Sequence, residues 1–504
     1  MITMTSVIKK VFGPPGSGKT TYLLNVVDQE LDAGVSTERI GYFSFTRKAA
    51  NEARDRAITK FPSLNEKTDF PYFRTLHSLA FRCLTVKTDD MMQPEHYAEF
   101  ARETGIQLDV NRDEEEGYAK ADNPILNEIN LARIRGSDLR SHYNNSGLDI
   151  EWHHFEFVER SYRHYKISRN LLDFTDLLEM VVLEAARLPR LDVLIIDEAQ
   201  DLSRLQWQLV YELVKKAQRI YIAGDDDQAV FTWAGADVKS FLEFEGDIHV
   251  LRQSYRVPAS VHTLANNVVR RIKSRQSKEW RPRDYIGSVK QYYRFEDVPI
   301  DSGEWLILAS TNYMLNPVHE WLKSNGVLFE RNHVPSLSPI LIKAVIDWEK
   351  LRKGQALGLN DIQGIYKYLG SSFVARGFKT FKGDIDVLEY TMEDLKRSYG
   401  LLTDGVWHDA LARIAEDKRE YLRAVLRRGF KISTANRIRL STIHGAKGGE
   451  ADNVLVLMDL SPKFAKEYAV NSDNVNRLFY VAVTRTKETL HLVLPKQEDK
   501  GFKL

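Results

Sequence analysis

The sequence predicts an α/β protein built on parallel sheets, and three observations carry that prediction. A glycine-rich loop, Gly13-Pro14-Pro15-Gly16-Ser17-Gly18-Lys19-Thr20, stands between a strand-like run, Val7 to Phe12, and a helix that opens Thr21-Tyr22-Leu23-Leu24 with an apolar stripe. A nearly continuous apolar run, Leu191 to Ile196, reads as a strand buried on both faces and delivers Asp197 and Glu198 at its C-terminal end. A further strand, Arg219 to Ala223, runs straight into Gly224-Asp225-Asp226-Asp227-Gln228. At 504 residues the chain is too long for one core, and about three or four domains are expected.

Composition narrows the class. Hydrophobic content of 43% and charged content of 28% are those of a soluble globular protein. A net charge of +1 gives no global basic field, although a local groove can still be basic. The single cysteine, Cys83, excludes an internal disulfide framework and fits a reducing compartment. The opening residues run straight into the glycine-rich motif, and no apolar stretch approaches a membrane span. The expected place is the cytosol of a cell without a nucleus, or of a cell infected by a virus.

The loop has the spacing of a phosphate cradle. Glycines let backbone N–H groups converge on phosphate oxygens, and the helix N-terminus adds partial positive charge. Lys19 would hold the β and γ phosphates, and Thr20 would ligate Mg²⁺ through its hydroxyl. The motif alone does not choose among kinase, switch and motor.

Two adjacent acids after a buried strand suit hydrolysis. Asp197 would hold Mg²⁺, and Glu198 would accept a proton from the attacking water. Gln228 can donate to a γ-phosphate and accept from water, so it can report whether the phosphate is present; as a turn side chain it would do neither. Trp233, near Phe231, admits two readings: an exposed ring that stacks on a nucleobase, or a core residue.

The order of motifs is more specific than any one of them. Gly13 to Thr20, Ser44-Phe45-Thr46-Arg47-Lys48-Ala49-Ala50, Thr75-Leu76-His77-Ser78, Asp173 to Leu178, Asp197-Glu198-Ala199-Gln200-Asp201 and Gly224 to Gln228 follow one another. Ser254-Tyr255-Arg256, Leu440 to Glu450 and Arg477 to Arg485 then follow in the second half. This series resembles the UvrD/Rep group of superfamily 1 DNA helicases over nearly the whole chain, most weakly at residues 86–170 and 331–430.

The resemblance implies two RecA-like parallel-sheet motor domains, each with a mainly helical insertion. Motor domain 1A would use 1–85 and 171–250, insertion 1B 86–170, motor domain 2A 251–330 and 431–504, and insertion 2B 331–430. It implies an ATP site of Gly13, Pro14, Pro15, Gly16, Ser17, Gly18, Lys19, Thr20 and Thr21, with Tyr255 stacked on adenine and Glu450 accepting from the ribose. Arg256 and Arg485 would bind the γ-phosphate as arginine fingers do. Phe45, Thr46, Arg47, His77, Trp233, Thr442 and His444 would contact the single strand. The activity implied is an ATP-dependent DNA helicase with Mg²⁺, moving 3′-to-5′ on single-stranded DNA and opening junctions, and monomeric in isolation. One rival is a translocase that displaces bound proteins with little unwinding. Another is an ATP-gated, non-hydrolysing DNA-binding switch, which would need no Glu198, Gln228, Arg256 and Arg485 together.

Four positions depart from the family pattern: no glutamine stands upstream of Gly13, Ala234 follows Trp233 where arginine is usual, Ser310 replaces a common arginine, and Gly449 replaces leucine. Asp113 to Glu116 reads as a solvated loop and Trp152 to Tyr165 as a helix face with histidines. The densest basic run, Arg270 to Arg283, reads as a solvated face or, in a DNA motor, as a phosphate contact.

Overall fold

The computed structural model describes residues 7–44, 47–60, 69–112, 119–384, 388–428 and 437–504. It divides into two compact units. The first holds Met1–Gly287 and Lys466–Arg485 with Leu504, and the second holds Ser288–Ala465 and Thr486–Lys503.

In chain order the strands of the first unit are β1 (Val7–Phe12), β2 (Ile40–Phe43), β3 (Phe73–Arg74), β4 (Asp109–Arg112), β5 (Ala119–Asp122), β6 (Leu191–Ile196), β7 (Ala217–Gly224) and β8 (Asp247–Val250). Six of them form one sheet in the order β3-β2-β6-β7-β1-β8, every pairing parallel. The apolar run in β6 explains its central place. Leu194 and Ile196 point into a core with Leu177, Leu178 and Trp207. Val193 and Ile195 point the other way, into a core with Leu23, Val27 and Ala53. Alternation across one strand therefore buries both faces of the sheet under helices. The topology brings the C-terminal ends of β1, β6 and β7 side by side, the edge at which open α/β sheets bind ligands.

Strands β4 and β5 pair as an antiparallel hairpin among helices Pro94–Thr104, Pro124–Arg135, Leu139–Ser146 and Trp152–Arg169. These helices share a core of Tyr97, Phe100, Ile129, Phe155, Val158 and Tyr162. The helix-face reading of Trp152 to Tyr165 holds: Phe155, Val158, Tyr162 and Tyr165 are buried, whereas His153, His154 and His164 are exposed. Asp113 to Glu116 lies outside the described residues. Asp173 caps helix Phe174–Leu183, and it and Asp176 pair with Arg133 and Lys166, tying these helices to the sheet layer.

In the second unit the strands are β9 (Ser288–Tyr292), β10 (Trp305–Ala309), β11 (Glu330–Arg331), β12 (Val334–Pro335), β13 (Ile438–Thr442), β14 (Ala451–Leu457) and β15 (Thr486–Val493). Their order is β12-β11-β13-β10-β14-β15-β9, parallel apart from the β11–β12 turn. The described part of residues 336–428 holds helices joined by irregular chain, with Pro339–Arg352 and Glu416–Arg427 the longest helices. Trp348, Ile362, Tyr366 and Leu422 share one core with Trp305, Ile307 and Ile438, so this helical segment is continuous with the sheet beneath it.

Candidate active site

The cradle leaves the C-terminal end of β1. Gly13 N–H donates to the Gly224 carbonyl at 3.0 Å, fixing the loop against the end of β7. Gly16 and Gly18 have φ of +69° and +74°, where a side chain is strained, and Gly18 is the N-cap of helix Lys19–Asp32. A Cβ on Gly16 would lie 2.4 Å from Arg256 Cβ, so the close approach of that arginine also demands glycine. Ser17 Oγ is buried without a partner among the described residues, as a phosphate-binding hydroxyl would be.

Strand β6 brings the two acids to Lys19 and Thr20. Lys19 Nζ lies 2.6 Å from Glu198 Oε1. Burial opposes the ammonium charge, but Glu198 and Asp197 outweigh it and hold the lysine above its ordinary range. Asp197 is pushed up, first by burial and then by Glu198 beside it, with Lys19 acting in the opposite direction. Thr20 Oγ1 is 3.4 Å from Asp197 Oδ2, and Tyr42 donates its hydroxyl to the same oxygen at 2.9 Å. A hydroxyl and a buried carboxylate facing each other form a hard oxygen pair that fits Mg²⁺. Glu198 has φ of +54°, so its backbone turns sharply where the strand ends.

Gln200 links the acids to the next loop. Its Nε2 donates to Glu198 Oε2 at 2.6 Å, and its Oε1 accepts from Asp225 N–H at 2.9 Å. Gln228 Nε2 donates to Asp225 Oδ2 at 2.6 Å, and Arg485 Nη2 donates to Gln228 Oε1 at 2.6 Å. Arg485, from the end of helix Asp473–Val483, is 2% exposed. An unbroken run of polar contacts therefore connects the cradle lysine to a buried guanidinium through Glu198, Gln200, Asp225 and Gln228. Tyr255 N–H donates to the Gly16 carbonyl at 2.8 Å and Ser254 Oγ to the Pro15 carbonyl at 2.7 Å, seating Tyr255 and Arg256 at the cradle. The Tyr255 ring is 71% exposed, a free aromatic face beside the phosphate loop.

Asp225, Asp226 and Asp227 converge closely enough to suggest a metal site, but Lys278 provides the cation. Its Nζ is 2.9 Å from Asp225 Oδ1, 2.9 Å from Asp227 Oδ2, and in contact with Asp226 Oδ1. Arg275 adds a bidentate pair to Asp227 at 2.8 and 2.7 Å. The basic run is thus not one solvated face: Lys278 is fully inside, whereas Arg270 and Arg281 are exposed. Tyr42, Gln200 and Lys278 are the residues that reading the sequence missed; only Gln200, two positions after Glu198, carried a local signal.

The strand-contact candidates fall in two groups. In the first unit, Trp233 is 59% exposed, which excludes the core reading. Its loop rests on helix Pro124–Arg135, where Arg135 donates to the Thr232 carbonyl at 3.0 Å. His77 sits in the first turn of helix Leu76–Leu84, edge-on to Phe174. Phe45, Thr46 and the side chain of Arg47 lie outside the described residues. In the second unit, Thr442 ends β13 and accepts from Gly445 N–H at 3.1 Å, while His444 stacks on Phe464. Glu450 also belongs to the second unit, 3.4 Å from Lys487.

A glycine cradle at the end of a parallel strand, a neighbouring Asp-Glu pair and a buried glutamine capped by arginine define a P-loop nucleotide-binding protein with two parallel-sheet units. Comparison with known families agrees. Residues 2–249 match the UvrD/REP helicase N-terminal domain, and residues 406–497 match the UvrD-like helicase C-terminal domain. The chain belongs to the UvrD/Rep-like superfamily 1 helicase family. It is 25% identical over 379 residues to the ATP-dependent DNA helicase PcrA of Bacillus subtilis, covering 70% of this chain and 50% of that protein. It is 27% identical over 305 residues to PcrA of Staphylococcus epidermidis, covering 55% of this chain and 40% of that protein. The chain thus spans about half the length of the curated relatives it matches. No helix among the described residues is long and apolar enough to cross a membrane.

Proposed function

We propose that this chain is an ATP-dependent DNA helicase that moves on single-stranded DNA, 3′-to-5′, and separates duplex ahead of it. The observation that carries the reading is the polar run from Lys19 through Glu198, Gln200, Asp225 and Gln228 to Arg485. A binder needs the cradle alone, whereas a wired sensor and a buried guanidinium suit an enzyme that must register the γ-phosphate. The two parallel sheets are the centres of motor domains 1A and 2A, with 1B and 2B inserted at residues 86–170 and 331–430.

In this reading an incoming γ-phosphate competes with Glu198 for the Lys19 ammonium. Once released, Glu198 accepts the proton of the attacking water. Arg256 and Arg485 take up charge spread over the transferring phosphoryl group. Tyr255 stacks on the base, and Glu450 accepts from the ribose. Thr20 and Asp197 would hold Mg²⁺, which would neutralise phosphate charge when bound. Trp233, His77, Thr442 and His444, with Phe45, Thr46 and Arg47, form the strand track. The substrate is single-stranded DNA and its junctions with duplex, and the chain works as a cytosolic monomer.

The test is phosphate release against added single-stranded DNA, single-stranded RNA and duplex, for the natural chain and for Lys19→Ala. Stimulation by single-stranded DNA, abolished in the variant while strand binding persists, supports the motor. Background release under every condition, or stimulation that survives in the variant, refutes it. Forked-duplex unwinding compared with streptavidin displacement separates a helicase from a protein-stripping translocase.

A further inference from the structure

A hollow of about 510 Å³ lies in the first unit, beside the segment that carries Tyr255 and Arg256. Its lining is strongly one-signed: Arg252, Arg270, Arg275, Lys278 and Arg281 face Glu279 as the single acid. Two of these cations are already committed, since Arg275 and Lys278 are bound to the Asp225–Asp227 cluster. The other three are not. Arg252, Arg270 and Arg281 are exposed, and none of their guanidinium groups has a hydrogen-bond or ion-pair partner among the described residues.

The backbone beneath them is ordered by tertiary contacts. Arg281 N–H donates to the Arg252 carbonyl at 2.6 Å, and Ser254 N–H donates to the Arg281 carbonyl at 2.9 Å. Gln253 Nε2 donates to the Pro282 carbonyl at 2.9 Å. Trp280 forms a buried wall, edge-on to His262. Three guanidinium groups thus stand on a fixed rim with one carboxylate to offset them. Such an arrangement is self-repelling until an anion enters, and a concave surface of one sign focuses the field on that anion.

We propose that this hollow binds the phosphodiester backbone of a nucleic acid, as a contact separate from the strand track. Guanidinium forks match phosphate oxygens bidentately. The three unpaired arginines are exposed side chains, which suits an extended row of phosphates better than one enclosed anion. Phosphate contacts of this kind position a duplex or strand without reading sequence. The inference rests on the reading of the chain as a nucleic-acid-driven ATPase.

The test uses the full chain, an oligo-dT strand and a blunt duplex of the same length. The variants are the triple Arg252→Ser, Arg270→Ser, Arg281→Ser and the triple lysine replacement at the same positions. Each phosphate contact contributes a slope of about −0.9 for duplex, or about −0.7 for single strand, in log affinity against log salt. The serine triple should lose about 10²-fold in affinity near 0.1 M salt, with a slope shallower by about 2 to 3, for at least one of the two probes. The lysine triple should keep most of that slope, and DNA-free ATPase should stay unchanged in both. Unaltered affinity and slope for both probes in the serine triple overturns the proposal. Inorganic tripolyphosphate that binds in an arginine-dependent way without weakening DNA binding overturns it too, because the site would then serve a free polyphosphate. If the natural chain itself neither binds DNA nor responds to it, the motor reading fails rather than this one alone.

Discussion

Replacing Lys278 with methionine isolates one physical term. Methionine keeps much of the buried stem and removes the ammonium. In the natural chain that ammonium is 1% exposed among three aspartates that are themselves 0 to 1% exposed. Burial raises the Asp226 carboxyl, and Lys278 opposes it. For Asp227 burial acts upward too, but Lys278 and Arg275 outweigh it and hold the group below its ordinary value. Removing one partner of a buried ion pair costs about 3–5 kcal/mol, because the remaining charge is left uncompensated. At about 1.36 kcal/mol per factor of ten, protection of the loop from Asp225 to Gln228 should fall by about 10²- to 10³-fold or more. The amides that report it are those of Asp225, Asp227 and Gln228, which are held by Gln200 Oε1, Asp225 Oδ1 and the Asp225 carbonyl.

The sign with pH is fixed. Without Lys278, burial and the two neighbouring carboxylates act on Asp226 unopposed by that ammonium, so its folded pKa stands further above its unfolded one. That destabilisation is complete above the folded value and relieved as pH falls, when the folded state takes up a proton. Asp227 of the natural chain behaves oppositely: its depressed folded value contributes stability above about 3.8, the unfolded value, and that contribution is lost as pH falls through the folded one. The two curves therefore converge toward acid. Hydrogen–deuterium exchange of the peptide spanning 217–230, corrected for intrinsic rate, reads this directly in the full chain. Equal protection of variant and natural chain at neutral pH, or a gap that widens toward acid, would refute the reasoning.

What the sequence disclosed follows from how local each signal is. The cradle and the β6 strand are written in consecutive residues: glycines at fixed offsets, and an apolar run that can only be buried on both faces. The roles of Tyr42 and Lys278 are not local. Tyr42 meets Asp197 across 155 positions, and Lys278 meets Asp226 across 52. Nothing within Arg270 to Arg283 distinguishes the buried lysine from its exposed neighbours, because most of that run is irregular and has no period to mark an inner face. Trp233 was open for the same reason: only the surface supplied by helix Pro124–Arg135 decides that the loop stays outside. The helical character of residues 331–430 could be read from Pro339 to Lys353. That its core runs on into the sheet through Trp348 depends on packing, which no periodicity reports.

Three more outcomes are expected. Tyr42→Phe removes a hydrogen bond to a charged oxygen worth about 1.5–3 kcal/mol, so the Mg²⁺ needed for half-maximal nucleotide binding should rise about tenfold or more; an unchanged Mg²⁺ titration counts against an orienting role. Trp233→Ala should weaken oligo-dT binding about 10- to 100-fold, measured by fluorescence anisotropy, with DNA-free ATPase intact, if the exposed ring stacks on a base. The last concerns His491 on β15, buried between Trp305 and Tyr292 with Lys290 nearby; burial first and that charge second push its imidazole down to about 4. An unfolded histidine takes up its proton near pH 6.5, but the folded one refuses it until about 4, so opening of this ladder gains a proton that the closed state cannot bind. Exchange of the β9–β15 amides should therefore accelerate by up to about tenfold per pH unit from 6.5 toward 4, after intrinsic correction, and then level off. His491→Gln, which cannot titrate, should flatten that dependence; a natural chain as flat as the glutamine variant means that the buried imidazole does not control this edge of the sheet.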